Sequence, residues 1–257
     1  MLNSLAMRGS WILSLLLCSL VSNAQVPGVP APAPVPKPVA APAPAPLPPS
    51  IEGAAWLLMD DSTGQVLLGN NVDTRVEPAS ITKVMTSYVV SAEIKAGKLS
   101  PEDQVRISEN AWRGGGGGTD GSTSFLPVNS SIALKDLLHG MIIQSGNDAS
   151  IALAEHVAGS EEAFASLMNA YAERLGMRGS HFVNSHGLPD PEHYSTAHDI
   201  ALLSRALIRD FPEVLEVTKQ TVAIFDKGGA SEQTLATYNY MLPSLPAARN
   251  GVDGLKT

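Results

Sequence analysis

Ser80 and Lys83 stand three residues apart in the run Glu77-Pro-Ala-Ser-Ile-Thr-Lys-Val-Met-Thr86. On a helix that spacing puts both side chains on one face, where an amine can approach a hydroxyl. A serine becomes a nucleophile when a neighbouring base takes its proton, and a lysine with a pKa depressed by burial can be that base. Two further groups of the same chemical kind follow along the chain. Ser145-Gly146-Asn147 brings a second hydroxyl and a carboxamide, and Lys256-Thr257 brings a second ammonium and a third hydroxyl. Each pair alone has a plainer explanation, since Ser and Asn cap helices and Lys-Thr suits an exposed strand. The set is what points to chemistry. His156, His181, His186, His193 and His198 raise a zinc alternative, but no His-Glu-x-x-His run occurs, and His193 and His198 are not at an i, i+4 spacing. Neither a metal nor a cofactor is expected.

The elements that must position these groups follow from the apolar periodicity. Pro78 fixes the approach to Ser80, and Ile81, Val84, Met85, Tyr88 and Val89 fit one buried stripe of a helix of roughly four turns. That helix should stop at Gly97, and its donor-rich N-terminus favours negative charge developing near Ser80. Two short apolar runs, 54–59 and 65–68, flank a polar turn ending in Gly64 and read as a hairpin. Residues 100–107 read as irregular or weakly stranded. Helical spacing recurs over 132–143, 148–157, 161–175 and 196–208, and Gly176 should end the third of these. Residues 220–225 look β-like, and 251–257 head into another strand. The run Gly114–Gly118, with Gly121 beyond it, reads as a flexible loop; it lacks the Lys-Ser/Thr ending of a phosphate loop. Strands at both ends around a helical insertion indicate an α+β architecture.

Composition narrows the class. The chain has 257 residues, 44% of them apolar, enough for a real core, and a net charge of -8 argues against nucleic acid as a partner. Arg8, an apolar core over 11–21 and Ser22-Asn23-Ala24 form an export signal, residues 1–24. A retained anchor fits less well, because that core is short for a bilayer. Cys18, the only cysteine, would leave with the signal, which excludes thiol chemistry and disulfides. A lipoprotein reading is weak because Leu17 precedes the cysteine. Residues 25–49 are a Pro/Ala-rich linker favouring polyproline II, with a reach on the order of 70 Å at about 3.1 Å per residue. The folded domain then spans 50–257.

Ser-x-x-Lys, Ser-x-Asn and Lys-Thr, in this order, resemble the signatures of the serine penicillin-recognising enzymes. The contexts Gln-Ser-Gly-Asn-Asp-Ala and Val-Asp-Gly-Leu-Lys-Thr, with Glu109-Asn110-Ala111-Trp112, Leu167-Met168-Asn169, His186-Gly187-Leu188 and 206–210, narrow the resemblance. It is to the D-alanyl-D-alanine carboxypeptidases among the low-molecular-mass penicillin-binding proteins. The resemblance implies a β-lactamase/D,D-peptidase-like fold, with an antiparallel sheet formed from N- and C-terminal strands and a helical subdomain inserted. It implies that Ser80 attacks the penultimate D-alanine carbonyl of a peptidoglycan stem peptide and that Lys83 takes the serine proton. Ser145 would relay a proton to the leaving amine, Asn147 would bind substrate and steady Lys83, and Lys256 and Thr257 would receive the terminal carboxylate. β-Lactam antibiotics would be covalent inhibitors. The Ser80 N–H would be one oxyanion donor, with its partner on a strand beyond Thr257.

Two departures stand out. No glycine follows Lys256-Thr257, because the chain stops there, and a histidine, His198, stands where many relatives carry arginine. With no C-cap or polar tail and a strand only begun at Thr257, the chain is expected to be a fragment, poorly active alone for want of half the oxyanion hole, of a protein that adds a segment for peripheral membrane attachment. Class A β-lactamases are the nearest rivals, but no Glu-x-x-Leu-Asn run is present and Gly146 replaces their usual Asp. A D,D-endopeptidase uses the same three motifs. A non-catalytic wall-binding module would not need all the reactive identities found here.

Overall fold

The segment that begins at Ser80 enters its helix through one tight turn. Pro78 leads into a single 3-10 turn, Ala79–Ile81, and α1, Thr82–Lys95, runs on from it. Gly97, at φ +71°, lies just past the helix end, where a left-handed conformation is wanted. The helix is not amphipathic as its spacing predicts. Thr82, Lys83, Thr86, Ser87 and Val90 are buried beside the expected Val84, Met85, Tyr88 and Val89, whereas Ile81 is 40% exposed. The reason is position: α1 packs against α3, Leu134–Ile143; α4, Asn147–Ala158; α5, Glu161–Leu175; and α6, Ala197–Asp210. A helix enclosed on all sides can hold polar residues only if each finds a partner. Thr86 Oγ1 donates to the Ser185 carbonyl and Ser87 Oγ to the Lys83 carbonyl.

This computed structural model describes residues 51–116, 121–229, 232–242, 252 and 254–256. The expected export signal, the linker, Gly117-Gly118 and Thr257 lie outside the described residues. From Ile51 onward the chain forms one compact unit. Its architecture is α+β, as expected. Among the described residues the strands pair as three antiparallel two-stranded ladders. β1, Trp56–Met59, pairs with β2, Val66–Asn70, across a turn in which Asp60 Oδ1 accepts from Ser62 and Thr63. β3, Gln104–Arg106, pairs with β4, Ser131–Ala133, so the residues read as a helix start at 132 form a strand instead. β5, Val222–Phe225, pairs with β6, Gln233–Ala236; Ala223 and Phe225 face inward against α3, while Val222 and Ile224 face out.

The strand anticipated over 251–257 is not formed at 252 or 254–256. Gly254, at φ +92°, turns there against the Thr218 carbonyl, which closes the 214–218 helix, α7 (Val214–Thr218).

The glycine run is also not simply a flexible loop. Helix α2, Glu109–Gly116, includes its first three glycines. A Cβ on Gly114 would collide with Ile151 of α4, and one on Gly115 would fall on the side chain and backbone of Asp148. These glycines let α2 lie directly on α4, the helix that carries Asn147.

Candidate active site

Four elements deliver the reactive groups. Ser80 sits in the 3-10 turn, half-buried, behind an Ala79 forced to φ +47°. Such a conformation is uncommon for a residue with a side chain and persists only where neighbours impose it. The neighbour here is Gly187, φ +94°, whose Cα lies so close that a Cβ would strike the Ala79 carbonyl oxygen. Lys83 follows in the first turn of α1 and is wholly buried. Its Nζ lies 3.3 Å from Ser80 Oγ, 2.7 Å from Asn147 Oδ1 and 2.7 Å from the His186 carbonyl oxygen.

That geometry sorts the hydrogens of the amine. A neutral lysine has two N–H bonds and one lone pair. Two good acceptors at 2.7 Å take the two hydrogens, so the lone pair is left for the Ser80 hydroxyl, which can donate its proton to it. The protonation state is tuned to match. Burial first, and then the charge of Lys256, hold the Lys83 pKa down to about 7, with Asp148 opposing the shift.

The second hydroxyl occupies the joint between α3 and α4. Ser145 adopts φ +61° and is nearly buried, and its Oγ accepts a 2.9 Å hydrogen bond from Lys256 Nζ. Burial holds Lys256 down to about 8, so this second lysine also exchanges a proton near neutrality. The adjoining Gly146 has no room for a side chain, because a Cβ would meet Ser124. Asn147 opens α4 and donates its backbone N–H to the Ser122 carbonyl at 2.8 Å. Ser80, Lys83 and Asn147 thus form one hydrogen-bonded group and Ser145 with Lys256 a second, and the charge of Lys256 acts on Lys83 across them. Thr257 lies outside the described residues.

Several contributors escaped sequence reasoning. Asp148, 1% exposed, accepts from Thr123 Oγ1, Ser124 N and Leu126 N, and so straps residues 123–126 to the start of α4. Its position beside Asn147 was the available signal. The His186 carbonyl left no signal, since any residue type supplies a backbone oxygen. The imidazole of His186 accepts from Leu188 N through Nδ1, and burial lowers its pKa to about 3, so it stays neutral. His193, buried and lowered to about 4, accepts from Val183 N through Nδ1, which leaves Nε2–H to donate to Thr82 Oγ1 at 2.8 Å. His198 Nδ1 is 3.4 Å from Asp73 Oδ1, with the histidine 40% and the aspartate 80% exposed. Among the described residues no group of three or more His, Cys, Asp or Glu side chains is arranged to hold a metal ion. Nor is any helix there long and apolar enough to cross a membrane.

Comparison with known proteins places this geometry in context. Residues 41–257 match the family model described as D-alanyl-D-alanine carboxypeptidase. Over 210 residues the chain is 43% identical to the D-alanyl-D-alanine carboxypeptidase DacC of Escherichia coli (strain K12), an alignment covering 81% of this chain and 50% of that protein. The chain spans about half the length of the curated relatives it matches. Among solved structures, the D-alanyl-D-alanine carboxypeptidase DacD from Francisella tularensis superposes with a TM-score of 0.68 at 41% identity, covering 74% of this chain and 45% of that one. Penicillin-Binding Protein D2 from Listeria monocytogenes in its ampicillin-bound form gives 0.67 at 28% identity, covering 79% and 77%.

Proposed function

Because the chain belongs to the D-alanyl-D-alanine carboxypeptidase family, we propose that it is the catalytic domain of a serine D,D-carboxypeptidase acting on peptidoglycan stem pentapeptides. The observation that carries this reading is the grip on Lys83, with two acceptors at 2.7 Å and the Ser80 hydroxyl at the remaining position. Neutral Lys83 takes the Ser80 proton as Oγ bonds to the penultimate D-alanine carbonyl carbon, giving a tetrahedral oxyanion. The Ser80 backbone N–H is one donor to that oxyanion. Collapse breaks the peptide bond. The Ser145 hydroxyl passes its proton to the departing D-alanine nitrogen and is resupplied by the Lys256 ammonium that touches it. The proton Lys83 took from Ser80 is handed on to the depleted Lys256, which restores the neutral amine of Lys83. Lys83 then deprotonates water as the hydroxide adds to the ester carbonyl, and returns that proton to Ser80 Oγ as the ester bond breaks and the shortened peptide leaves. Asn147 and Thr257 line the substrate, and Lys256 attracts its terminal carboxylate.

β-Lactams would acylate Ser80 in the same way; the bound ampicillin of the Listeria relative supports that expectation. Residues 1–24 act as an export signal and 25–49 as a spacer, which places the domain, 50–257, in the periplasm at the outer face of the cytoplasmic membrane. Peripheral attachment there would rest on a segment outside this chain.

A fluorescent penicillin should label the protein covalently and fail to label Ser80→Ala. Release of free D-alanine from a pentapeptide identifies a carboxypeptidase, whereas cleavage of a cross-linked dimer alone identifies an endopeptidase. An intact protein that takes no label refutes the acyl-enzyme mechanism.

A further inference from the structure

Lys83 depends on the His186 carbonyl, and that carbonyl belongs to a loop with no regular structure of its own. What holds residues 184–188 in place therefore bears on the base. The peptide of Ser185, a residue with no exposed surface, is gripped from two sides. Its carbonyl accepts from Thr86 Oγ1 at 2.6 Å and Ser150 Oγ at 2.9 Å. Its N–H and its hydroxyl both donate to one oxygen, Glu161 Oε1, at 3.0 and 2.7 Å. Glu161 is the first residue of α5, just after the capping Ser160, so its backbone is fixed. The same Oε1 lies 3.5 Å from His186 Nε2. Asn184 Oδ1 closes the turn by accepting from Gly187 N at 2.7 Å.

We propose that Glu161 is a positioning residue: through Ser185 it sets the direction of the His186 carbonyl, and thereby the aim of the Lys83 lone pair at Ser80. The inference rests on the serine-peptidase reading above. Glu161 touches neither Lys83 nor Ser80; its work is done at one remove, by its acceptor oxygen rather than by its charge. If that oxygen is lost, the buried Ser185 N–H has no partner and the loop relaxes. Water then reaches Lys83, the desolvation that depresses its pKa weakens, and the amine is protonated over more of the neutral range. The charged and titratable groups facing Lys83 are Lys256 on the C-terminal segment, Asp148 on α4 and the neutral His186 imidazole, and Glu161→Ala changes the identity of none of the three.

The test is the rate of fluorescent-penicillin acylation between pH 6 and 10 on the full chain, with melting temperature recorded alongside. Glu161→Ala should slow acylation at pH 7 about tenfold and move the half-rise of the pH profile upward by about one unit. Glu161→Gln keeps an acceptor oxygen and should stay within about threefold of the parent at every pH. An alanine variant with the parent's rate and profile overturns the proposal, as does a glutamine variant as impaired as alanine. Should Glu161→Ala not fold, Ser185→Ala removes only the hydroxyl bond: a smaller upward shift supports the proposal and an unchanged profile overturns it. A parent protein that takes no label would instead refute the acyl-enzyme reading itself.

Discussion

Substituting Gly115 by alanine pits two effects of opposite sign against each other. On an ordinary exposed helix the change gains up to about 1 kcal/mol, because alanine has the better helix propensity. At this site the new methyl would overlap the Asp148 side chain and its backbone nitrogen and lie 2.6 Å from its Cα. Backbone is what is struck, so no side-chain rotation relieves the contact. Overpacking of this sort costs about 1–3 kcal/mol, which outweighs the propensity gain except at its lower limit. For a folded unit of this size each kcal/mol moves the melting temperature by about 2–4 °C, so a net loss of about 1–2 kcal/mol lowers it by about 2–8 °C. The displaced residue is the neighbour of Asn147, which supplies one of the two acceptors that orient Lys83. Penicillin acylation should therefore fall as well, by about tenfold or more if Asn147 Oδ1 withdraws by an ångström. Gly53→Ala, where the nearest atom to a new Cβ is 4.0 Å away, is the control and should leave both readings unchanged. A Gly115→Ala protein that melts at or above the parent temperature and acylates normally would show that the α2–α4 contact is not what the glycines serve.

Three further outcomes follow from the same geometry. Acylation should rise with pH through about 7 as Lys83 loses its proton, and Lys256→Gln, by removing the second lysine's charge, should move that half-rise upward; a pH–rate profile measures both. Stability should fall as pH drops from about 6.5 toward 3–4: His186 and His193 have folded-state pKa values, about 3 and about 4, below their unfolded value, so the unfolded chain binds more protons over that window. Urea melts at pH 7 and pH 4.5 read the difference, and equal midpoints would contradict it. Asp148→Ala leaves two buried backbone N–H groups, on Ser124 and Leu126, without their acceptor and should cost about 3–5 kcal/mol, seen as a large drop in melting temperature with loss of label.

What could be read in advance depended on whether the deciding interaction was local. Helix α5 appears with its expected bounds because its stop signal, Gly176 at φ +79°, lies one residue past its end, and the structure adds a local cap, Ser160, at its start. The three motifs were legible because side-chain identity carries their chemistry. By contrast, residues 132–133 read as helical because Ile132 continues a helical spacing, yet they belong to a strand that pairs with Gln104–Arg106, a partner nearly thirty residues away. The glycines of α2 read as freedom because the body that fills their missing side chains, Asp148, comes from another helix. Thr82 and Thr86 fell outside the stripe expected to be buried, and their partners, His193 and Ser185, come from a loop about a hundred residues on. The His186 carbonyl is the extreme case, a functional atom common to every residue type.

One contact described above joins two parts of the machinery. The loop that points its carbonyl at Lys83 also presses Gly187 onto the carbonyl of Ala79 and so sustains the contorted backbone just ahead of Ser80. The proposed nucleophile and base should therefore be disarmed together when this short loop lets go, before the buried helices around α1 separate. On gentle warming, antibiotic capture should vanish at a lower temperature than the helical circular-dichroism signal, with recovery on cooling.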